Sequence, residues 1–438
     1  MVACSMLLSS CMLLDAREQQ ALLNRYCSIS GDVRSERGEA GALVVLLIRR
    51  NDGDAAELRR WEIVDYYVTQ KAAPWRFALG EGTYRTAAFD DVNADLIYQP
   101  GEPFVGADRS RSFECVNANR YEDVSLAIPA TSPVLFDRLI DVGERFSGVR
   151  SDSSASNTLG QLTAIGVITD LSDPRFSQEN AEGSLWRPHD FIVSSQPGIY
   201  FLEPYDERKT PVLFVHGIGG TPANFAYLIA RLDRTRYQPW LYLYPSGVYL
   251  DLIADHLSQT VMKLQVRYDV ERLVVVAHSM GGLVARGFVL RHAKSSALDV
   301  PLFVTLSTPW AGHAAAGLGV KHSPVVLDVW RDMAPGSEYL QALFAESLPT
   351  ETQHHLIFTF SRDRSSFGAS DDQAVTVASQ LDPAAQAEAR RIYGYDDTHR
   401  GILRNDRVAA LMGELLSSVE EESAPPGQIA GPPGSSAP

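Results

Sequence analysis

Two hydrophobic rhythms divide the chain. From Ser28 to Pro129, short apolar segments are separated by turn-forming residues. Ala42 to Ile48 reads as an apolar strand, and Asn51-Asp52-Gly53-Asp54 follows it as a turn. Trp61 to Thr69, Trp75 to Leu79 and Thr83 to Phe89 read as further strands, the last two punctuated by Gly80-Glu81-Gly82. Strands joined by such turns predict a small β-sandwich. Beyond Gly198 the rhythm changes. Apolar strands at Val212–Val215, Trp240–Tyr244, Leu273–Ala277, Leu302–Leu306, His355–Phe360 and Arg390–Tyr393 alternate with helical patterns at Ala223–Leu232, Leu250–Val266 and Val408–Leu416. That alternation predicts a mainly parallel sheet with right-handed crossovers.

The expected organisation is therefore α/β with an all-β preface. Residues 1–24 read as a signal remnant or lipid anchor with a stalk, the helical pattern running from Leu14 to Tyr26. Residues 25–130 form the β-sandwich, 131–197 a connector, and 198–420 the α/β domain with a cap or lid at 309–343. The Pro-, Gly- and Ser-rich tail, 421–438, is expected to be disordered. The connector holds a polar break, Ser151 to Asn157, and a Trp186-Arg187-Pro188-His189-Asp190-Phe191 segment that suggests packing rather than a free linker.

Composition narrows the classes. The 438 residues are 45% hydrophobic and 21% charged, values of a globular protein with a large core. The net charge of −15 and the lack of a Lys/Arg block argue against nucleic acid as a partner. No apolar run is long enough to span a bilayer. The four cysteines, Cys4, Cys11, Cys27 and Cys115, fit no zinc spacing. Cys27 and Cys115 could pair in an oxidising compartment; two free buried thiols are the other reading. Leu8-Ser9-Ser10-Cys11 resembles a bacterial lipobox, which implies lipidation of Cys11 and a tether at the cell envelope, although no Lys or Arg precedes the apolar stretch. A frayed apolar N-terminus, with a cytoplasmic protein, is the alternative.

Residues Phe77 to Asp90 resemble a transthyretin-like or carboxypeptidase-regulatory-like sandwich in their strand–turn–strand rhythm. Within that region Asp91, Asn93, Asp95, Ile97, Gln99 and Glu102 follow the ligand rhythm of an EF-hand-like calcium loop, with Leu96 where such a loop has glycine. A structural calcium is one reading; an acidic surface loop of Asx-turns is the other.

The chemistry centres on Ala277-His278-Ser279-Met280-Gly281-Gly282. A β-branched strand ends there and a helix begins, so Ser279 sits on a sharp turn with small neighbours, as in a nucleophile elbow. A serine needs a base, and the base needs an orienting group. In a fold with this elbow the chain order is serine, acid, histidine. His399 lies between the last strand and last helix, where the base belongs. Of the acids after the preceding strand, Asp372 is the first choice, Asp371 the second and Asp363 the third. The oxyanion donors expected are the backbone N–H groups of Met280, after the nucleophile, and of Ile218, in His216-Gly217-Ile218-Gly219.

These segments, with Thr308-Pro309-Trp310-Ala311-Gly312, Asp372-Gln373-Ala374-Val375 and Asp397-Thr398-His399, resemble the α/β-hydrolase superfamily, in particular bacterial triacylglycerol lipases and the lipase-like inositol-deacylase group. The resemblance covers about half the chain and leaves the N-terminal half unmatched. It implies carboxylic ester hydrolysis, on lipid or other hydrophobic acyl esters, with no catalytic metal or organic cofactor. Acyl transfer, amide or thioester cleavage, and a tethered binding protein on an inert hydrolase fold are the alternatives. Met333-Ala334-Pro335-Gly336-Ser337 also resembles a lipase segment. Val325, Val326, Leu327, Val329 and Trp330 could form an apolar lid face or an ordinary packed crossover. Oligomeric state is not readable.

Overall fold

The computed structural model describes residues 2–38, 41–50, 61–106, 111–132, 139–145, 158, 160–362 and 371–423, with side chains from residue 12 but not those of 61 or 420–423. Asp363, most of the expected tail, and the Asn51–Asp54 and Ser151–Asn157 segments lie outside the described residues.

Helix α1 spans Val2–Leu23. It is docked rather than free-standing, which corrects the stalk expectation. Ala16 is fully buried in the main core, the Asp190 amide donates to Gln19, and Gln20 donates to the Val326 carbonyl at 2.9 Å. Cys11 falls in the part of α1 whose side chains lie outside the described residues.

The β-domain follows as β1 (Cys27–Ser35), β2 (Ala42–Arg50), β3 (Trp61–Thr69), β4 (Ala73–Leu79) and β5 (Gly82–Asp91). One sheet pairs β1 with β4; the other holds β2 between β3 and β5, all antiparallel. Ile29, Val33, Trp75 and Phe77 of the first sheet share a core with Leu43, Val45, Leu47 and Tyr84 of the second. The unbroken apolar run in β2 has a physical cause. Alternate residues point to opposite faces, and the second face is also covered. Ala42, Val44 and Leu46 pack with Tyr66, Val68 and Phe89 against Met262 and Val266 of the α/β domain. Cys27 and Cys115 form a disulfide that ties the strand segment Phe113–Cys115, beside β5, to β1 in the other sheet.

The α/β sheet has eight strands: β6 (Ala164–Ile168), β7 (Gly198–Phe201), β8 (Thr210–Val215), β9 (Tyr237–Leu243), β10 (Val274–His278), β11 (Leu302–Leu306), β12 (Gln353–Phe360) and β13 (Ala389–Asp396). Their spatial order is β6-β7-β9-β8-β10-β11-β12-β13, antiparallel only between β7 and β9. Part of the expected connector therefore belongs to this domain: β6 is its edge strand. Helices α2 (Gln178–Trp186) and α3 (Pro188–Ser195) lead into β7.

Helix α4 (Leu250–Tyr268) and α5 (Met280–Ser295) cover one face of the sheet, and α9 (Asp406–Ser423) the other. Between them lie α6 (Ala314–His322), α7 (Asp328–Met333) and α8 (Glu338–Leu343). In α4, Thr260 through Val266 are all buried, which a helix shows only when covered all round. The sheet covers one side and the β-domain the other. Lys263 is buried in that second contact, 3.6 Å from Asp65 and over the Tyr66 ring. Burial pushes the Lys263 amine down and the Asp65 carboxyl up, while each charge favours the other. No helix among the described residues is long and apolar enough to cross a membrane.

Candidate active site

β8 sits between β9 and β10; the chain leaves β8 toward β9 on one side and leaves β10 toward β11 on the other. A crevice opens at the carboxyl ends of strands where such a reversal occurs. The loop after β8 carries His216 to Gly220; the turn after β10 carries Ser279.

Ser279 has φ 55° and ψ −132°, a strained conformation for a residue with a side chain. The turn is fixed by close packing. A Cβ on Gly281 would lie 2.3 Å from the Val215 carbonyl oxygen, and one on Gly217 would lie 2.8 Å from the Ser279 Cβ. Glycine at both positions lets the elbow and the β8 loop touch. The Ser279 amide donates to the Leu306 carbonyl at 2.8 Å, pinning the turn to β11.

The three side chains chosen from the sequence meet here. His399 Nε2 lies 2.9 Å from Ser279 Oγ, and His399 Nδ1 lies 2.8 Å from Asp372 Oδ2. An ionised carboxylate only accepts, so Nδ1 carries the proton and Nε2 is free to accept from the serine. Ser279 is 3% exposed and Asp372 fully buried. Burial pushes the Asp372 carboxyl up. The hydrogen bond and charge of His399, the Thr359 hydroxyl and the Val375 amide outweigh it and hold it below its ordinary value. Asp371 is equally buried, but its carboxylate accepts the Gln373 amide while His399 turns to its neighbour.

Several contributors carry no signal in the sequence. Thr359 Oγ1 donates to Asp372 Oδ2 at 2.6 Å, and Gln380 Nε2 to the same oxygen at 3.2 Å. Asp372 Oδ1 accepts the Ala374 and Val375 amides at 3.1 and 2.7 Å. His278 Nε2 lies 2.7 Å from the His399 carbonyl oxygen. His313 donates from Nε2 to the Ala374 carbonyl at 2.9 Å, joining the start of α6 to the acid loop.

Of the expected oxyanion donors, Met280 opens α5, where the first amides of a helix lack partners within it. Ile218 lies in the loop that packs on Ser279. The Gly219 amide is held elsewhere, by Ser246 Oγ at 3.1 Å. His216 stacks on Tyr244 with ring centroids 4.0 Å apart, and burial pushes it down to about 4. It therefore stays neutral beside the site.

The 309–343 excursion packs onto the α/β domain. Leu327, Val329, Met333, Leu340 and Leu343 belong to the main core, and Val325 and Trp330 pack against it. Val326 is held through its carbonyl by Gln20. Asp332 accepts the Leu250 amide at 2.7 Å, and Tyr339 donates to the Leu283 carbonyl at 3.2 Å. At the trailing end Arg286 is buried, paired with Glu388 at 2.7 Å and donating to the Leu343 and Glu346 carbonyls. His292 of α5 is also buried, between Ser258 and Gln265.

The calcium-loop residues sit together but spend their oxygens on the loop itself. Asp91 accepts the Asp95 and Leu96 amides, Glu102 the Val92 and Gln99 amides, and Asp95 the Ile97 amide. Asn93 and Gln99 donate to Asp95. Burial pushes Asp91 up to about 7. Among the described residues no group of three or more His, Cys, Asp or Glu converges to hold a metal ion. The bonds are those of Asx-type turns.

Residues 212–425 match the model of the Alpha/beta hydrolase family. No curated protein matches the sequence. Among solved structures, the Bacillus licheniformis lipase BlEst2 in mature form is similar at 16% identity and a TM-score of 0.38, covering 51% of this chain and 97% of that one. Aspergillus fumigatus lipase B shares 15% identity at a TM-score of 0.36, over 50% of this chain and 55% of that one. Phospholipase PlaB from Legionella pneumophila shares 19% identity at 0.33, over 39% and 45%. The family match and the strand order together show that the C-terminal part of this chain is an α/β-hydrolase domain.

Proposed function

We propose that the chain is a serine hydrolase of carboxylic esters that works through an acyl-enzyme on Ser279. The observation that carries this reading is the unbroken hydrogen-bonded line from Ser279 Oγ through His399 to Asp372, at the carboxyl edge of the sheet. As the hydroxyl attacks the ester carbonyl carbon, His399 Nε2 takes its proton. Asp372 holds the ring and favours the imidazolium. The oxyanion forms against the Ile218 and Met280 amides, where each donor is worth about 3–4 kcal/mol of barrier. Collapse of that intermediate breaks the bond to the alcohol, which leaves with the proton from Nε2. Water then repeats the sequence on the acyl-enzyme and frees the acid.

A hydrophobic acyl group is the substrate class that the resemblance to lipases implies for this site. The buried Cys27–Cys115 disulfide supports the cell-envelope reading, because such bonds persist in oxidising compartments. With lipidation of Cys11, the enzyme would be tethered at a membrane surface.

A fluorophosphonate probe tests the reading, with Ser279→Ala and His399→Ala alongside, followed by a p-nitrophenyl ester series of increasing chain length. Labelling and turnover by wild type and neither variant are expected, with the chain-length profile naming the acyl class. A folded wild type that neither labels nor turns over any ester, with or without detergent, would end the proposal.

A further inference from the structure

His278 precedes the nucleophile and stands outside the line from Ser279 to Asp372. Its ring is buried at the end of β10, and its Nε2 donates to the His399 carbonyl at 2.7 Å. The two rings lie 4.8 Å apart, tilted by 46°. On the other side, the His399 amide donates to the Asp372 carbonyl at 2.9 Å. The backbone of the base is thus held at both polar groups. One tie comes from the acid, the other from the residue joined by a peptide bond to the nucleophile. His399 otherwise sits in a surface loop, and its neighbour Arg400 is exposed.

Resting on the hydrolase reading above, we propose that His278 is a positioning residue, whose uncharged N–H fixes the loop of the base to the strand of the nucleophile. Loop residues drift on the scale of tenths of an ångström, and a proton-transfer line tolerates little of that. The tie crosses 121 residues of sequence and spans only one ring, so it sets the Ser279-to-His399 distance directly. The donor must also be neutral. A cation there would oppose the imidazolium that forms on His399 in each turnover. Burial, then the charge of His399, pushes His278 down to about 3, so the ring donates without a charge at neutral pH.

The test compares His278→Gln with His278→Met in the full chain. A glutamine amide reaches about as far as Nε2 and remains an uncharged donor; methionine fills similar space with no donor. The readouts are kcat and KM on one soluble ester, the rate of fluorophosphonate labelling, and the thermal midpoint. The Met variant should lose about 10- to 100-fold in kcat with KM within about twofold. The Gln variant should stay within about threefold of wild type, at a thermal midpoint like that of the Met variant. Equal kcat in the two variants, whether both active or both crippled, overturns the inference while leaving an active wild type and its triad intact. A wild type inert to probe and ester overturns the hydrolase reading and this inference with it.

Discussion

Asp372→Asn separates orientation from packing, because the two oxygens of this carboxylate do different work. Oδ1 accepts the Ala374 and Val375 amides; Oδ2 accepts His399 Nδ1, the Thr359 hydroxyl and Gln380 Nε2. An asparagine has one accepting end. The two backbone N–H groups cannot turn, so they claim its oxygen, and its NH2 faces His399. The ring must then offer Nδ1 as an acceptor and carry its proton on Nε2. That tautomer cannot take the Ser279 proton. The expected loss is on the order of 10⁴ in kcat, or about 5 kcal/mol of barrier. The fold should suffer much less. Thr359 can rotate to accept, and Gln380 keeps its bonds to the Thr359 and Val375 carbonyls, so the stability cost is about 1–2 kcal/mol. The assay is p-nitrophenol release per folded molecule, with a thermal midpoint for each protein. Asp371→Asn is the control, since an amide oxygen still accepts the Gln373 N–H; its kcat should stay near wild type. A D372N enzyme within tenfold of wild type would refute the reasoning, as would an Asp371→Asn enzyme that falls as far.

Three further outcomes are expected. His216 and His256 are pushed down to about 4, and His278, His292 and His354 to about 3, chiefly by burial. The unfolded chain therefore binds more protons from pH 6.5 downwards, and stability should fall on acidification through that window, by up to about 1.4 kcal/mol per pH unit for each histidine; urea midpoints unchanged between pH 7 and pH 5 would contradict this. Reducing the Cys27–Cys115 disulfide opens a loop of 88 residues, which chain entropy values at about 4–5 kcal/mol; a reductant that leaves the denaturation midpoint in place would remove that role. The excursion held by Asp332, Tyr339 and Arg286 should not open at an interface, so the rate on a long-chain ester should rise smoothly through its solubility limit, and a sharp jump there would show a mobile lid.

The three candidate triad residues were legible because chain order and strand rhythm constrain them together. Val274 to Val276 reads as a buried strand, and a serine after it followed by Gly281 and Gly282 reads as an elbow once the order of acid and histidine along the chain is added. Asp372 was harder: Asp371 beside it is just as buried, and only the three-dimensional position of His399 separates them. Thr359 and Gln380 were invisible, since a threonine in a strand and a glutamine in a short helix have no spacing that points to a carboxylate. Burial of charge was equally hidden. Arg286 reads as the polar face of a helix, yet its partner Glu388 lies 102 residues away. The edge strand β6 escaped because it is only Ala164 to Ile168, with Gly166 inside it at φ +68°.

Helix α4 also decides where this chain can be cut. The family match begins at residue 212 and suggests a detachable domain. Yet Met262 and Val266 face the β-domain, and Lys263 has its counter-ion there. A fragment trimmed to the recognisable family boundary would bare an apolar stripe with a lysine in its middle, on a helix that backs the nucleophile's own sheet. Its surface would invite self-association before any loss of chemistry could be measured. The β-domain is thus part of the wall behind the sheet rather than a separable accessory.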